Sequence, residues 1–278
     1  MEASPSLHHT AQDRKPATST ADLRLTEPTR PVLVWMARCA MTAWSPQRLG
    51  FSALAFLPWA VAAGLPIAKP GGLMMLIALL PASLLCTLAA LVVARSVAIE
   101  LAVDRRRPAS REIGFVIRHR RAAAGVGVVC AVVASGVFAL LSLWLSVPAA
   151  WSAASALWWM LTALGLASIA ADGSDTIDAV QRTAAYTLRQ PATSVLGLLP
   201  VAGFALGVAT LGWVAQAGTL AMAAGVVSSS VAVSLLLACA QGAYLALRYA
   251  NDRCDPAEIT GSGSELGVLR SEAGDDAA

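Results

Sequence analysis

Charge is what this sequence lacks most. Only 13% of its 278 residues are Asp, Glu, Lys or Arg, against about 25% in an ordinary soluble domain. With 57% hydrophobic residues and a mean hydropathy of +0.65, that scarcity excludes a soluble globular enzyme. The apolar runs are long and the 21 glycines follow no period, which excludes disordered and collagen-like chains. Histidine is nearly missing. His8, His9 and His119 all stand outside the apolar runs, which argues against a histidine-dependent intramembrane protease. There is no HExxH, no P-loop and no GxSxG. The five cysteines form no CxxC pair, and Cys86, Cys130 and Cys239 lie inside apolar runs as small hydrophobes.

Two patterns could still suggest metal chemistry. His8 and His9 are adjacent but have no companion ligands, so they read as solvated tail residues. Asp172-Gly173 followed by Asp175 and Asp178 superficially resembles a metal-bound phosphate site. The same spacing more simply caps a helix and places acids in its first turn. We therefore expect no catalytic residues, no metal and no cofactor.

What the chain does have is long hydrophobic stretches. A spanning helix needs roughly 20 mostly apolar residues, and six segments qualify. They run from about Leu49 to Ala68, Gly72 to Ala94, Ala122 to Ser146, Ala150 to Ala171, Ser194 to Ala215 and Thr219 to Leu247. Pro58, Pro81 and Pro200 should kink their helices rather than end them. The connections after spans one, three and five are very short, and those after two and four are longer and polar. The expected fold is an all-α polytopic membrane bundle of three helical hairpins, with cytoplasmic interfacial helices.

The few charges set the orientation. Of the 20 Lys and Arg, all but Lys69 fall on one side of this layout. That side should be cytoplasmic, in a bacterial inner membrane with both termini inside. Trp144, Trp151 and Trp213 sit near the short outer turns, where an amphipathic ring prefers the interface. Residues 1–30 are polar and lack the apolar stretch of a secretory signal. They read as a disordered tail, as do residues 251–278, leaving 31–250 as the transmembrane domain.

Three cytoplasmic segments carry the remaining pattern. Residues 31–50 hold an apolar stretch too short to span, with Trp35 and Trp44 suited to headgroups. Residues 104–121 hold Arg105, Arg106, Arg107, Arg111, Arg118, Arg120 and Arg121 around Ile113, Phe115, Val116 and Ile117. This reads as a basic amphipathic helix on anionic lipid, with Phe115 and Ile117 toward lipid or the edge of the bundle and the arginines toward headgroups or water. Topology already accounts for the arginines, so a nucleic-acid partner is not expected. In residues 172–191, Ile177, Val180, Ala184 and Leu188 share one helical face, while Asp178 and Arg182 can pair on another. Arg48, Arg118 and Arg189 each stand just before a span, following Trp44, Phe115 and Tyr186. This spacing gives a weak threefold repeat of interfacial helix, arginine and hairpin.

The residues Asp178-Ala179, Arg182, Tyr186 and Arg189-Gln190-Pro191 resemble a loop pattern, of the form DALSRSYSYVYQRP, in uncharacterised multi-pass membrane proteins of the planctomycete type. The upstream TAWSPQRLG is similar to the Ser-Pro-Arg-Lys-Leu approach to their first span. Here the arginine falls one place early and the aromatic-rich stretch is alanine-rich. That family carries no assigned activity to transfer. More loosely, the layout is similar to the membrane domain of bacterial glycerophosphodiester phosphodiesterases, whose catalytic domain has no counterpart in this sequence.

Within the spans the small residues form rows. Gly127, Ala131 and Ser135 are one row, Gly203 and Gly207 a second, and Ala221, Gly225 and Ser229 a third. Such rows let backbones pack closely, within the bundle or across a dimer face. Ser228, Ser229, Ser230 and Ser234, with Gln241 further in, are the most polar intramembrane group. They either bond their own helix or line a path. The expected function is that of a non-enzymatic membrane protein, a scaffold or accessory subunit, with the bilayer and a membrane protein or second copy as partners. A small permease for an apolar or lipid-like substrate is the alternative.

Overall fold

The computed structural model describes residues 39–64, 72–103, 108–189 and 219–252, and every regular element among them is helical. In chain order these are α1 (Pro46–Gly64), α2 (Gly72–Val103), a 3-10 turn (Ala109–Glu112), α3 (Ile113–Arg118), α4 (Arg120–Leu141), α5 (Val147–Asp172), α6 (Thr176–Arg189) and α7 (Thr219–Asp252). Among the described residues, four stretches are long and apolar enough to cross a membrane: Leu80–Leu101, Arg120–Leu141, Ala149–Asp172 and Gly225–Arg248. They correspond to the second, third, fourth and sixth expected spans. The first expected span begins as α1, which is not among those four. The fifth, 194–215, lies outside the described residues. So do Arg105, Arg106 and Arg107, Trp35, Trp213, Gly203, Gly207, and both tails apart from residues 251–252, which belong to α7.

The helices run past the expected limits where charge begins. α2 was expected to end near Ala94 yet continues to Val103, and α7 continues from Leu247 to Asp252. At about 1.5 Å per residue, each is far longer than the roughly 30 Å of hydrocarbon. Each therefore has more helix than an apolar layer of that thickness requires, and the surplus carries the charges. Helix continues through both Pro58 and Pro81, so neither proline ends its helix.

α2 is the centre of the bundle, touching α1, α4, α5 and α7, while those four also pack in the order α1–α7–α5–α4 around it. This placement follows from its composition. α2 is apolar all round, the mark of a helix buried on every side, and residues 90–99 are buried without exception. α4 takes an outer place, leaving Val129, Val132, Val133 and Leu140 exposed.

Glycine sets the closest approaches. A Cβ on Gly127 of α4 would stand 2.7 Å from Thr87 Cγ2 of α2, and one on Gly165 of α5 would stand 2.6 Å from Val126 Cγ1 of α4. The row Gly127, Ala131 and Ser135 is buried within the chain, so it serves packing of α4 on α2 rather than a dimer face. Gly136, on the same helix, has nothing within 4 Å. Gly127→Ala should therefore lower stability by about 1–3 kcal/mol through overpacking, while Gly136→Ala should be near neutral. Unfolding of both variants in one detergent checks this, and equal effects would contradict the packing.

Candidate functional site

Charges at the ends of apolar helices, such as Arg95, Glu100 and Asp172, can snorkel to water or pair with neighbours. The structure pairs them. One end of the bundle gathers the start of α1, the ends of α2, α5 and α7, and the start of α4. Three polar nodes lie there.

The first node is Arg48, at the start of α1 and 2% exposed. Its Nε donates to Ser96 Oγ at 2.8 Å and its Nη2 to Ser96 O at 3.1 Å. Nη2 also meets Glu100 Oε2 at 2.5 Å, and Nη1 donates to the Thr42 carbonyl. A guanidinium presents a rigid fork of donors, and here the fork joins α1, α2 and the helical turn at residues 39–42. Ser234 Oγ of α7 donates to Ala43 O at 2.8 Å. With Cys39 and Ala43 packed against Val97 and Ala238, this contact fixes the pre-span segment inside the bundle. Met41 and Trp44 stay outside.

The second node is Arg95 of α2, also buried. It donates to the Ala170 carbonyl at 2.6 Å, lies 3.8 Å from Glu112 and sits 4.3 Å above the Phe115 ring. His119 stacks against the same ring at 4.1 Å, and its Nδ1 is 3.0 Å from Phe115 O. The sequence places Phe115 toward lipid or the edge of the bundle. It is buried beneath Arg95, where its ring face attracts the desolvated guanidinium. Ile117 is exposed, and so are Arg111, Arg118, Arg120 and Arg121.

The third node centres on Asp172, at the end of α5 and 7% exposed. Its Oδ2 accepts from Arg182 Nη1 at 2.9 Å and from Tyr244 Oη at 2.7 Å, and it pairs with Arg248. Ser168 Oγ contacts Tyr244 Oη at 3.1 Å and Ser174 Oγ at 3.5 Å. Arg248 Nε lies 3.7 Å from Asp252, to which Tyr186 of α6 donates. Asp172 thereby links α5, α6 and α7. The expected Asp178–Arg182 pair is replaced by Arg182–Asp172. The buried acid gains more from a guanidinium than an exposed one does. Asp175 does cap α6, accepting from the Asp178 amide at 2.9 Å. The preceding turn needs Gly173, whose φ of 65° is left-handed.

The threefold repeat holds only in part. Arg48 is buried, whereas Arg118 and Arg189 are exposed. Phe115 and Tyr186 are buried, whereas Trp44 is not. A different repetition organises the site. Ser96-Val97-Ala98-Ile99-Glu100 lies in the last turns of α2 and Ser168-Ile169-Ala170-Ala171-Asp172 ends α5. Each sets a serine one turn before an acid, and each acid receives an arginine from another element. This Ser-x-Ala-x-acid spacing was the available signal for the first and third nodes.

The serines of α7 divide. Ser228 and Ser230 donate to carbonyls of their own helix, at Gly225 and Val226. Ser234 reaches Ala43. Ser229 Oγ and both amide atoms of Gln241 are buried with no hydrogen-bond partner. Among the described residues no group of three His, Cys, Asp or Glu could hold a metal ion.

Comparison with protein-family models, with curated proteins and with solved structures finds no match for this chain.

Proposed function

We propose that this chain is a multi-pass integral membrane protein of non-enzymatic type, a scaffold or accessory subunit of a membrane complex. In this reading it has six spans in three hairpins, sits in the bacterial inner membrane and keeps both termini in the cytoplasm. The observation that carries it is the use made of the buried charges. Arg48, Arg95, Glu112 and Asp172 each join two or more elements. An Asp172 oxygen that already serves two arginines and a tyrosine is taken up with structure. The same end carries the exposed Arg111, Arg118, Arg120 and Arg121, and Arg105–Arg107 lie between them and α2 in sequence. Each basic residue near an anionic surface contributes about 1 kcal/mol, so this face suits acidic phospholipid.

Gentle extraction from the native membrane, with mass spectrometry of what co-purifies, tests both parts. A stoichiometric protein partner and enrichment of acidic lipid are expected. A preparation holding neither, at any detergent strength, would count against the scaffold. Gln241 favours the permease as the second reading, since an unpartnered buried carboxamide can receive a polar group of a substrate. A substrate-dependent rise in thermal stability that Gln241→Leu abolishes would favour that reading instead.

A further inference from the structure

α6 has three sides, and each meets a different medium. Ala179, Thr183 and Tyr186 form the side toward the bundle, with Ala179 and Tyr186 buried. Tyr186 packs on Tyr244 with ring centroids 5.9 Å apart. Asp178, Arg182 and Arg189, spaced four and seven apart, share a second row. Ile177, Ala184 and Leu188, spaced seven and four apart, share a third. A helix covered by protein alone would bury this last row, since apolar residues leave water. Here Ile177 is 66% and Leu188 80% exposed.

The level of α6 identifies what covers that row. The helix leaves α5 directly through the turn at Gly173, and Thr176 Oγ1 donates to the Ala122 carbonyl at 3.3 Å. Ala122 is in the first turn of α4, a span whose outward Val129, Val132 and Val133 are apolar and exposed. The start of α6 therefore stands where the lipid-facing surface of α4 begins. Its far end is held to the end of α7 by Tyr186 and Asp252. At about 1.5 Å per residue, the 14 residues of α6 lie across the edge of the bundle at this level. Four exposed arginines, Arg111, Arg118, Arg120 and Arg121, sit on the adjoining 3-10 turn, α3 and α4, as suits phospholipid headgroups.

We infer that α6 is a strap seated in the phospholipid leaflet, its Ile177–Ala184–Leu188 row immersed at the acyl boundary and its Asp178–Arg189 side in water. The inference rests on the reading of the chain as membrane-spanning, and its test separates the two. The protein is placed in nanodiscs of mixed phosphatidylcholine and phosphatidylglycerol. Cys254 is replaced by Ser, the other four cysteines being buried. Single variants Ile177→Cys, Leu188→Cys, Asp178→Cys, Arg189→Cys and Val132→Cys then carry nitroxide labels. Collision with oxygen, which concentrates in lipid, is compared with collision with a water-soluble nickel chelate.

Positions 177, 188 and 132 should favour oxygen several-fold over 178 and 189. If 132 favours oxygen while 177 and 188 match 178, the strap is overturned and the spans stand. If 132 also favours nickel, the membrane reading itself fails. Labels at 177 and 188 shielded from both reagents would overturn the lipid contact and show that protein covers the row.

Discussion

Asp172→Ala is expected to destabilise the bundle by about 3 kcal/mol, the lower end of the range for breaking a buried ion pair by removing one partner. The lower end applies because Arg182 is 39% exposed and can reach water once released. Arg248 is more enclosed and would be left with Asp252 across 3.7 Å. Tyr244 would lose an acceptor but keep its contact with Ser168. Asp172→Asn, which keeps shape and an acceptor oxygen but removes charge, should fall between alanine and the native residue. Asp178→Ala, exposed in the following helix, should change stability by no more than about 0.5 kcal/mol. Unfolding of the three variants in one detergent ranks them. If Asp172→Ala matches Asp178→Ala, the node does not hold α5, α6 and α7 together, and Asp172 becomes available for chemistry.

The long apolar runs made legible four helices long and apolar enough to span a membrane, because hydropathy over such a length has few other outcomes. Residues 176–188 were legible as a helix capped by Ser174 or Asp175, and Asp175 is the cap. The ends of α2 and α7 were not. Charge arriving at Arg95 and Arg248 looked like the end of a span, yet the helix continues because each arginine is neutralised or hydrogen-bonded inside the protein. Phe115 was misplaced for the same reason. In a basic amphipathic stretch an aromatic is as easily a lipid contact as a platform, and only the approach of Arg95 from another helix decides. The pairing of Arg48 with Glu100, 52 residues away, could not be read from local spacing. The repeated Ser-x-Ala-x-acid endings pointed to it, but a two-copy motif gains meaning only when both acids are seen to receive arginines.

Arg48 makes the sharpest test of that ion-pair architecture. Arg48→Met should destabilise by about 3 kcal/mol, since it removes the charge opposite Glu100 and four donor contacts across three segments. Arg48→Lys should rescue little. A single ammonium cannot reproduce a fork that reaches Ser96 Oγ, Ser96 O, Thr42 O and Glu100 at once. Joining Arg48→Met to Glu100→Gln should recover part of the loss, because apolar replacement of a buried pair is often neutral whereas half a pair is not. The coupling between the two sites should lie within about 1–3 kcal/mol, as for residues in direct contact. Unfolding of the two singles and the double in one detergent gives that coupling. A coupling near zero would mean that solvent screens Glu100 from Arg48. The start of α1 would then be held to α2 by the serine and carbonyl contacts rather than by charge.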